Sequence, residues 1–128
     1  MADSEETAWA EWYRLLAEAG IPPHRALPRD LWRFRIDVEV ADLSSERRLR
    51  RVGLDPPLPK RSEWLAFQRV GERLQGEGWS GLVAPSAARP DGRVVCLFRV
   101  SGRFRGVRRL RPPRWVDSAP VPPRGMTT

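Results

Sequence analysis

Three kinds of side chain in this sequence are placed where they could do chemistry: a helix carboxylate, a loop serine and many arginines. Glu11 falls at the border of an apolar stripe in a predicted helix, so its carboxylate is partly withdrawn from water. Ser86 follows a short apolar run, where a core strand gives way to a loop. Each residue also has a structural interpretation. Glu11 could simply meet water or an arginine, and Ser86 could be a turn serine.

The chemistry that this set allows is cleavage of an N-glycosidic bond. A carboxylate can stabilise a cationic ribosyl centre or orient a ribose hydroxyl, because the transition state resembles an oxocarbenium ion. Arginine holds phosphate groups bidentately, and a serine can position the leaving base. No spacing pattern among these residues is specific to N-glycosidic bond cleavage.

Several other kinds of site are not supported. No GxSxG surrounds Ser86, and His24 is the only histidine, which argues against a Ser-His-Asp hydrolase. We interpret His24 as a solvent-exposed loop residue, with a general base as the alternative. The single cysteine, Cys96, cannot form an intrachain disulfide or a zinc site and is predicted to be a small buried hydrophobe. No metal or prosthetic group is therefore expected.

Charge is distributed unevenly along the 128 residues, whose formal net charge is +7. Eight arginines lie between Arg99 and Arg124 against one acid, Asp117. Such a surface could bind phosphate or nucleic acid, or it could be a solvated basic face. Lys60 is the only lysine, a bias that codon usage alone can produce. The chain has no apolar run of about 18 residues and no secretory signal, so we expect a cytoplasmic protein without a membrane partner.

Local patterns predict two long helices. The first, Asp3–Ala19, begins at a capping residue, Asp3 or Ser4, and ends at Gly20. The second covers Ser62–Gln75. A shorter helix is predicted from Ser44 or Ser45 to Val52. The apolar stripe of the first helix is predicted to contain Ala8, Trp12, Leu15, Leu16 and Ala19. The stripe of the second is predicted to contain Trp64, Phe67, Val70, Gly71 and Leu74.

Strands are predicted where apolar residues alternate or form short runs. Leu31–Val40 alternates with period two, and Gly81–Ala84 and Val94–Val100 are apolar runs. Val94–Phe98 is apolar on both faces, as in a central buried strand. We therefore predict an α+β fold, in which these three strands form a mixed sheet flanked by the two long helices. Phe104–Leu110 is predicted to be an edge strand, and residues 111–128 a proline-rich flexible tail.

Four segments resemble the RES domain family, which is named for its Arg, Glu and Ser signature. They are ADSEETAWAE (Ala2–Glu11), RFRIDVEVADL (Arg33–Leu43), GWSGLVAPS (Gly78–Ser86) and the following strand, Val94–Phe98. The resemblance covers about residues 2–100. It makes Glu11 the family glutamate and Ser86 the family serine, both as catalytic residues, with Ser86 also a candidate NAD-binding residue. Arg89, which is not part of the matched motifs, is a second candidate NAD-binding residue.

The resemblance also implies a fold and a function. RES domains are similar to ADP-ribosyltransferases, and characterised members degrade NAD by hydrolysis or phosphorolysis, or transfer ADP-ribose. They are typically toxins of bacterial toxin–antitoxin pairs, restrained by an antitoxin of the Xre/MbcA/ParS type. NAD would thus be a substrate and the antitoxin a partner, with no direct contact to nucleic acid.

Some features depart from the family pattern. The family arginine precedes the segment matched by Ala2–Glu11, so this chain is expected to lack it together with the first strands. Arg33 or Arg89 could take its place, and Val94 stands where the family often has asparagine. Residues 1–110 would then be the C-terminal two-thirds of a RES domain. The alternative function is a non-catalytic module that binds an antitoxin or nucleic acid through its arginine-rich C-terminal half.

Overall fold

Three helices and five strands make up the part of the chain that the structure describes, residues 1–58, 64–98 and 105–127 of a computed structural model. The helices are α1 (Glu5–Ala19), α2 (Glu46–Arg51) and α3 (Trp64–Gly76). The strands are β1 (Arg29–Ile36), β2 (Ala41–Asp42), β3 (Gly81–Pro85), β4 (Arg93–Leu97) and β5 (Val107–Val116). A short 3-10 helix, Pro23–Ala26, follows α1. The α+β class is therefore confirmed.

Helix α1 begins and ends at the predicted signals. The Ser4 hydroxyl accepts the Thr7 amide N–H at 3.1 Å, and Gly20 takes the left-handed conformation with φ +64°. The predicted apolar stripe was partly wrong, because Leu15 is 51% exposed and Ala19 is also exposed. The buried side chains of α1 are Thr7, Trp9, Ala10, Trp12 and Leu16. The buried face of α1 therefore includes Thr7 and Trp9, which lie outside the predicted stripe, and excludes Leu15 and Ala19.

A three-stranded sheet has the order β2-β3-β4. Strand β2 runs parallel to β3, and β4 pairs antiparallel with β3 from Gly81–Leu97 to Pro85–Arg93. The mixed sheet is thus confirmed, with β3 at its centre. The prediction of a central strand at Val94–Phe98 was wrong: β4 is outermost of the three, and Cys96 is exposed rather than buried. Val100, the predicted end of this strand, lies outside the described residues.

The N-terminus borders β4 on its other side. Met1 and Val95 exchange two backbone hydrogen bonds, and the Asp3 amide donates to the Arg93 carbonyl at 3.0 Å. Ala2 faces Val94 across an antiparallel bridge. This short pairing satisfies part of an edge that would otherwise be open.

The remaining two strands form a separate antiparallel sheet, which we call the β1–β5 ribbon. The predicted strand Leu31–Val40 was therefore assigned to the wrong sheet, because alternation reveals a half-buried strand but not its partner. It also ends earlier, at Ile36.

Strand β5 continues to Val116, so residues 111–116 are not part of a loose tail. Pro112 and Pro113 are tolerated there because a two-stranded ribbon leaves one edge of each strand unpaired. Phe104, the predicted start, lies outside the described residues.

Two apolar clusters hold these elements together. The larger one packs α2 and α3 on the three-stranded sheet and contains Ala41, Leu43, Leu49, Leu54, Val70, Leu74, Ala84 and Phe98. The smaller one packs Trp9, Trp12 and Leu16 of α1 against residues that include Leu31 and Val116 of the ribbon. In α3, Trp64 was predicted to be buried and is 39% exposed. The predicted start of that helix, Ser62, lies outside the described residues.

Candidate functional site

Ser86 lies directly after β3, in the loop that joins β3 to β4. Its side chain is buried, with 3% of the residue exposed. The hydroxyl oxygen accepts the amide N–H groups of Ala88 at 3.2 Å and Arg89 at 3.1 Å, and the Ser86 amide donates to the Gly92 carbonyl at 2.9 Å. These bonds hold the loop in one shape and leave the single hydroxyl hydrogen free to point elsewhere.

That hydrogen goes to Glu11. The Ser86 hydroxyl donates to Glu11 Oε1 at 2.6 Å, although the two residues are 75 positions apart in the chain. The contact is possible because α1 packs closely on the hairpin loop. A Cβ placed on Gly92 would lie 2.3 Å from the hydroxyl oxygen of Thr7, which is fully buried. The structure thus brings together the two side chains that the sequence singled out.

The other oxygen of Glu11 is held by Arg14. Arg14 Nε donates to Glu11 Oε2 at 3.0 Å, and its terminal nitrogen Nη1 donates to Glu18 Oε1 at 2.5 Å. Only 23% of the Glu11 side chain is exposed, and 14% each of Arg14 and Glu18. Sequence reasoning missed Arg14 and Glu18. The signal was available, since residues three and four apart on a helix are neighbours.

A cavity of about 400 Å³ adjoins the serine loop. Its wall combines the loop with the start of α2, the proline-rich segment that follows α2 and the C-terminal segment. The lining residues include Ser44, Glu46, Leu49, Pro57, Ser86 and Thr127. Ser86 therefore contacts both Glu11 and this cavity. Most of the wall is apolar, with a few hydroxyl and carboxylate groups, which is typical of a small-molecule site.

The C-terminal segment after β5 returns to the same region. Within this segment, the carbonyl of Pro120 accepts a hydrogen bond from the Tyr13 hydroxyl. Thr127 then donates from its amide to the Ala88 carbonyl at 2.7 Å and from its hydroxyl to the Ala87 carbonyl at 2.9 Å. Burial raises the pKa of Tyr13, so its hydroxyl keeps the hydrogen that this bond requires.

The other candidate residues lie in different places. Arg89 contacts Ser86 through its backbone amide, and its side chain is half-buried. His24 is exposed in the 3-10 helix, and Val94 pairs with Ala84 within the sheet. Arg33 lines a separate cavity of about 240 Å³ in the ribbon region.

That second cavity also contains an ion pair between Glu5 and Arg114. The Trp9 indole N–H donates to Glu5 at 3.1 Å and contributes most to lowering the pKa of Glu5, followed by Arg114 and then Arg33. Arg33 is thus near a carboxylate and is not brought to the Glu11–Ser86 pair.

Among the residues that the structure describes, no helix combines the length and the apolar composition that a bilayer crossing requires. Nor do the described residues contain three or more His, Cys, Asp or Glu side chains grouped to hold a metal ion.

Comparison with known proteins supplies a family. The sequence model of the RES domain matches residues 1–118. A protein of Mycobacterium tuberculosis named "Probable NAD(+) phosphorylase" is 25% identical over 97 residues, which cover 76% of this chain and 46% of the relative. The chain therefore spans about half the length of that curated relative. No solved structure matches significantly.

Proposed function

Because the chain belongs to the RES domain family, we propose that it acts on NAD and cleaves the bond between nicotinamide and ribose. The observation that carries this proposal is the 2.6 Å hydrogen bond from Ser86 to Glu11. It joins Glu11 to Ser86, the two residues proposed to be catalytic, and Ser86 lines a cavity of small-molecule size. The printed name of the mycobacterial relative supports NAD as the substrate and phosphate as the acceptor.

In the proposed reaction, the bond between ribose C1′ and the nicotinamide nitrogen breaks. The electron pair of that bond goes to nicotinamide, which leaves as a neutral base, and C1′ becomes cationic. The Glu11 carboxylate stabilises this positive charge, which is stronger in the transition state than in bound NAD. An oxygen of inorganic phosphate then bonds to C1′ and its proton passes to solvent. The products are nicotinamide and ADP-ribosyl phosphate.

Ser86 has the role of orienting Glu11 in this proposal. Its one hydrogen is donated to Oε1, and its oxygen already accepts two amides. A direct contact with the nicotinamide-ribose part, which the resemblance implies, would require the bond to Glu11 to open. Arg89 lies on the same loop, and its guanidinium is the proposed partner of the NAD phosphates.

The test measures NAD loss by the protein with and without inorganic phosphate, separating the products chromatographically. Glu11→Gln keeps the size of the side chain and removes its charge, so we expect a rate loss of about 100-fold or more. Glu72→Gln, at an exposed position of α3, is the matched control and should leave the rate unchanged. Equal rates for the Glu11→Gln variant and the wild type would contradict the proposal. ADP-ribose as product would indicate water as the acceptor, and labelled protein would indicate ADP-ribosyl transfer.

The cellular role that we propose is that of a toxin whose activity an antitoxin of the Xre/MbcA/ParS type restrains. This follows from the family resemblance and from the proposed consumption of NAD, which every cell requires. Expression of the wild type in bacteria should lower cellular NAD and stop growth, whereas the Glu11→Gln variant should do neither. Growth arrest that is equal for the two proteins would contradict this role.

A second candidate function, nucleic-acid binding, is favoured by one feature of the β1–β5 ribbon. Arg35 and Arg108 are directly opposite each other, both are exposed, and neither has an ion-pair partner among the described residues. Like charges in this arrangement are unfavourable unless an anion lies between them. A two-stranded ribbon also fits the major groove of DNA. Binding to a labelled duplex should then weaken steeply with salt, and less steeply for Arg35→Gln. Salt-independent or undetectable binding would exclude it.

A further inference from the structure

The hydrogen-bonded chain that begins at Ser86 does not stop at Glu11. Ser86 holds one carboxylate oxygen and Arg14 holds the other, so rotation of the carboxylate about its own axis is blocked from both sides. Arg14 is in turn held by Glu18 through a different nitrogen. All three charged side chains lie on α1, and the arginine and the outer glutamate are each only 14% exposed. The orientation of Glu11 therefore depends on charged groups of its own helix as well as on the loop serine.

We propose that Arg14 is a positioning residue of the NAD site and that Glu18 holds Arg14 in place. This inference rests on the proposed function, because it assigns Arg14 and Glu18 to the same site. The spacing explains how one helix provides the arrangement. Positions 11, 14 and 18 differ by three and four residues, which places them on one face of α1.

The charges explain why Glu18 is needed. Arg14 alone would turn Glu11 into a neutral ion pair, and a neutral pair stabilises a cationic ribosyl centre poorly. With Glu18 included, two carboxylates and one guanidinium leave a net single negative charge. Arg14 can then orient Glu11 without cancelling the charge that the reaction uses.

A second observation concerns the outer oxygen of Glu18. Oε2 is buried and has no hydrogen-bond partner among the described residues. A buried carboxylate oxygen without a partner is unfavourable, and an apolar side chain at this position would avoid that cost. The stability of the fold therefore does not explain why a glutamate stands at position 18. Its pairing with Arg14 and its negative charge do explain it.

The chemistry of the guanidinium makes arginine specific here. Nε and a terminal nitrogen of one planar guanidinium donate to two different carboxylates. Lysine carries the same charge but lacks this planar fork, so it cannot hold both carboxylates in the same geometry. The lysine variant consequently separates charge from orientation.

The experiment compares Arg14→Gln, Arg14→Lys and Glu18→Gln with the wild type in the NAD assay with phosphate. We expect kcat to fall about 10- to 100-fold for Arg14→Gln with KM changed less than about twofold, because misorientation affects the transition state more than binding. Arg14→Lys should recover only part of kcat, and Glu18→Gln should also lower it. Arg73→Gln, which removes the exposed pair between Arg73 on α3 and Glu77 just after the helix, is the matched control.

A second readout does not depend on activity. The amides of Ala88 and Arg89 donate to Ser86, so their NMR signals report the hydrogen bond between Ser86 and Glu11. Arg14→Gln should shift both signals, and Arg73→Gln should shift neither. Unchanged signals or an unchanged kcat in both Arg14 variants would overturn the inference. If the wild type consumes no NAD, the proposed function fails, while the amide signals still decide whether Arg14 positions Glu11.

Discussion

Replacing Ser86 with alanine tests how strongly the contact between α1 and the hairpin loop supports the fold. The substitution removes one hydroxyl that makes three hydrogen bonds: one to the Glu11 carboxylate and two from loop amides. The site is buried, so water cannot readily replace the lost partner. Alanine is smaller and fits the same backbone, and the expected loss is therefore mostly one of hydrogen bonding.

The magnitude follows from these contacts. A hydrogen bond to a charged group contributes about 1.5–3 kcal/mol, and each hydrogen bond from a backbone amide contributes about 0.5–1.5 kcal/mol. The three contributions are not fully additive. We expect Ser86→Ala to lower the free energy of unfolding by about 2–4 kcal/mol. For a chain of this size that corresponds to a fall in melting temperature of roughly 8–15 °C.

The assay is urea unfolding followed by tryptophan fluorescence, with the melting temperature measured in parallel. Ser80→Ala is the matched control, because Ser80 is an exposed serine just before β3 and contributes its backbone carbonyl to Phe98. The control should change the free energy of unfolding by less than about 0.5 kcal/mol. A Ser86→Ala variant as stable as the control would refute the idea that this hydroxyl joins the helix to the loop.

Two further predictions concern neighbouring contacts. Gly92→Ala should destabilise the protein by about 1–3 kcal/mol in the same urea assay, because the new methyl would overlap the buried Thr7 side chain. Hydrogen bonds from the Ser44 hydroxyl and amide, with a smaller effect of Arg48, lower the pKa of Asp42. The ionised form therefore stabilises the fold above the pKa of the unfolded chain, and this contribution is lost as pH falls through the lower folded value. The stability advantage of the wild type over Asp42→Asn should thus begin to shrink below about pH 4 in acid titrations and be lost once the pH is below the folded pKa.

The Gly92→Ala and Asp42→Asn predictions each have a control substitution elsewhere in the protein. A Cβ on Gly76, at the end of α3, meets nothing within 4 Å, so Gly76→Ala should be neutral or slightly stabilising. Asp55→Asn, which changes an exposed loop aspartate, is the control for the Asp42 comparison. A Gly92→Ala variant of wild-type stability would mean that α1 does not approach the loop closely. A difference between wild type and Asp42→Asn that persists at low pH would contradict the assignment of the charge to Asp42.

Local signals in the sequence predicted the helices well. The caps at Ser4 and Ser45 and the left-handed glycine after α1 act within one turn of the residues they stabilise, so they can be read without the rest of the fold. The placement of Ser86 at a strand end was equally local, because an apolar run followed by proline and serine marks such a boundary. The contact between Ser86 and Glu11 came from the resemblance, since no pattern relates residues 75 positions apart.

The pairing of strands and the burial of side chains could not be predicted from local signals. The alternation of Leu31–Val40 is compatible with either sheet, and the partner β5 carries two prolines that suggest a loop. Cys96 is apolar in character and yet exposed, because exposure depends on how the elements pack around β4 rather than on composition. Arg14 and Glu18 were missed for a different reason: their spacing from Glu11 was visible, but charged residues on a helix are usually solvated.

Both ends of the described chain are attached to the same hairpin. Met1 bonds to β4, and Thr127 bonds to the loop that contains Ser86. An affinity tag or fluorescent fusion joined after Thr127 would therefore lie next to the two hydrogen bonds beside the proposed site, and one joined before Met1 would lie next to the pairing of Met1 with Val95. The position of a tag is consequently a biochemical variable for this protein, and a tag that is cleaved off before the assay is the appropriate choice for testing the proposed activity.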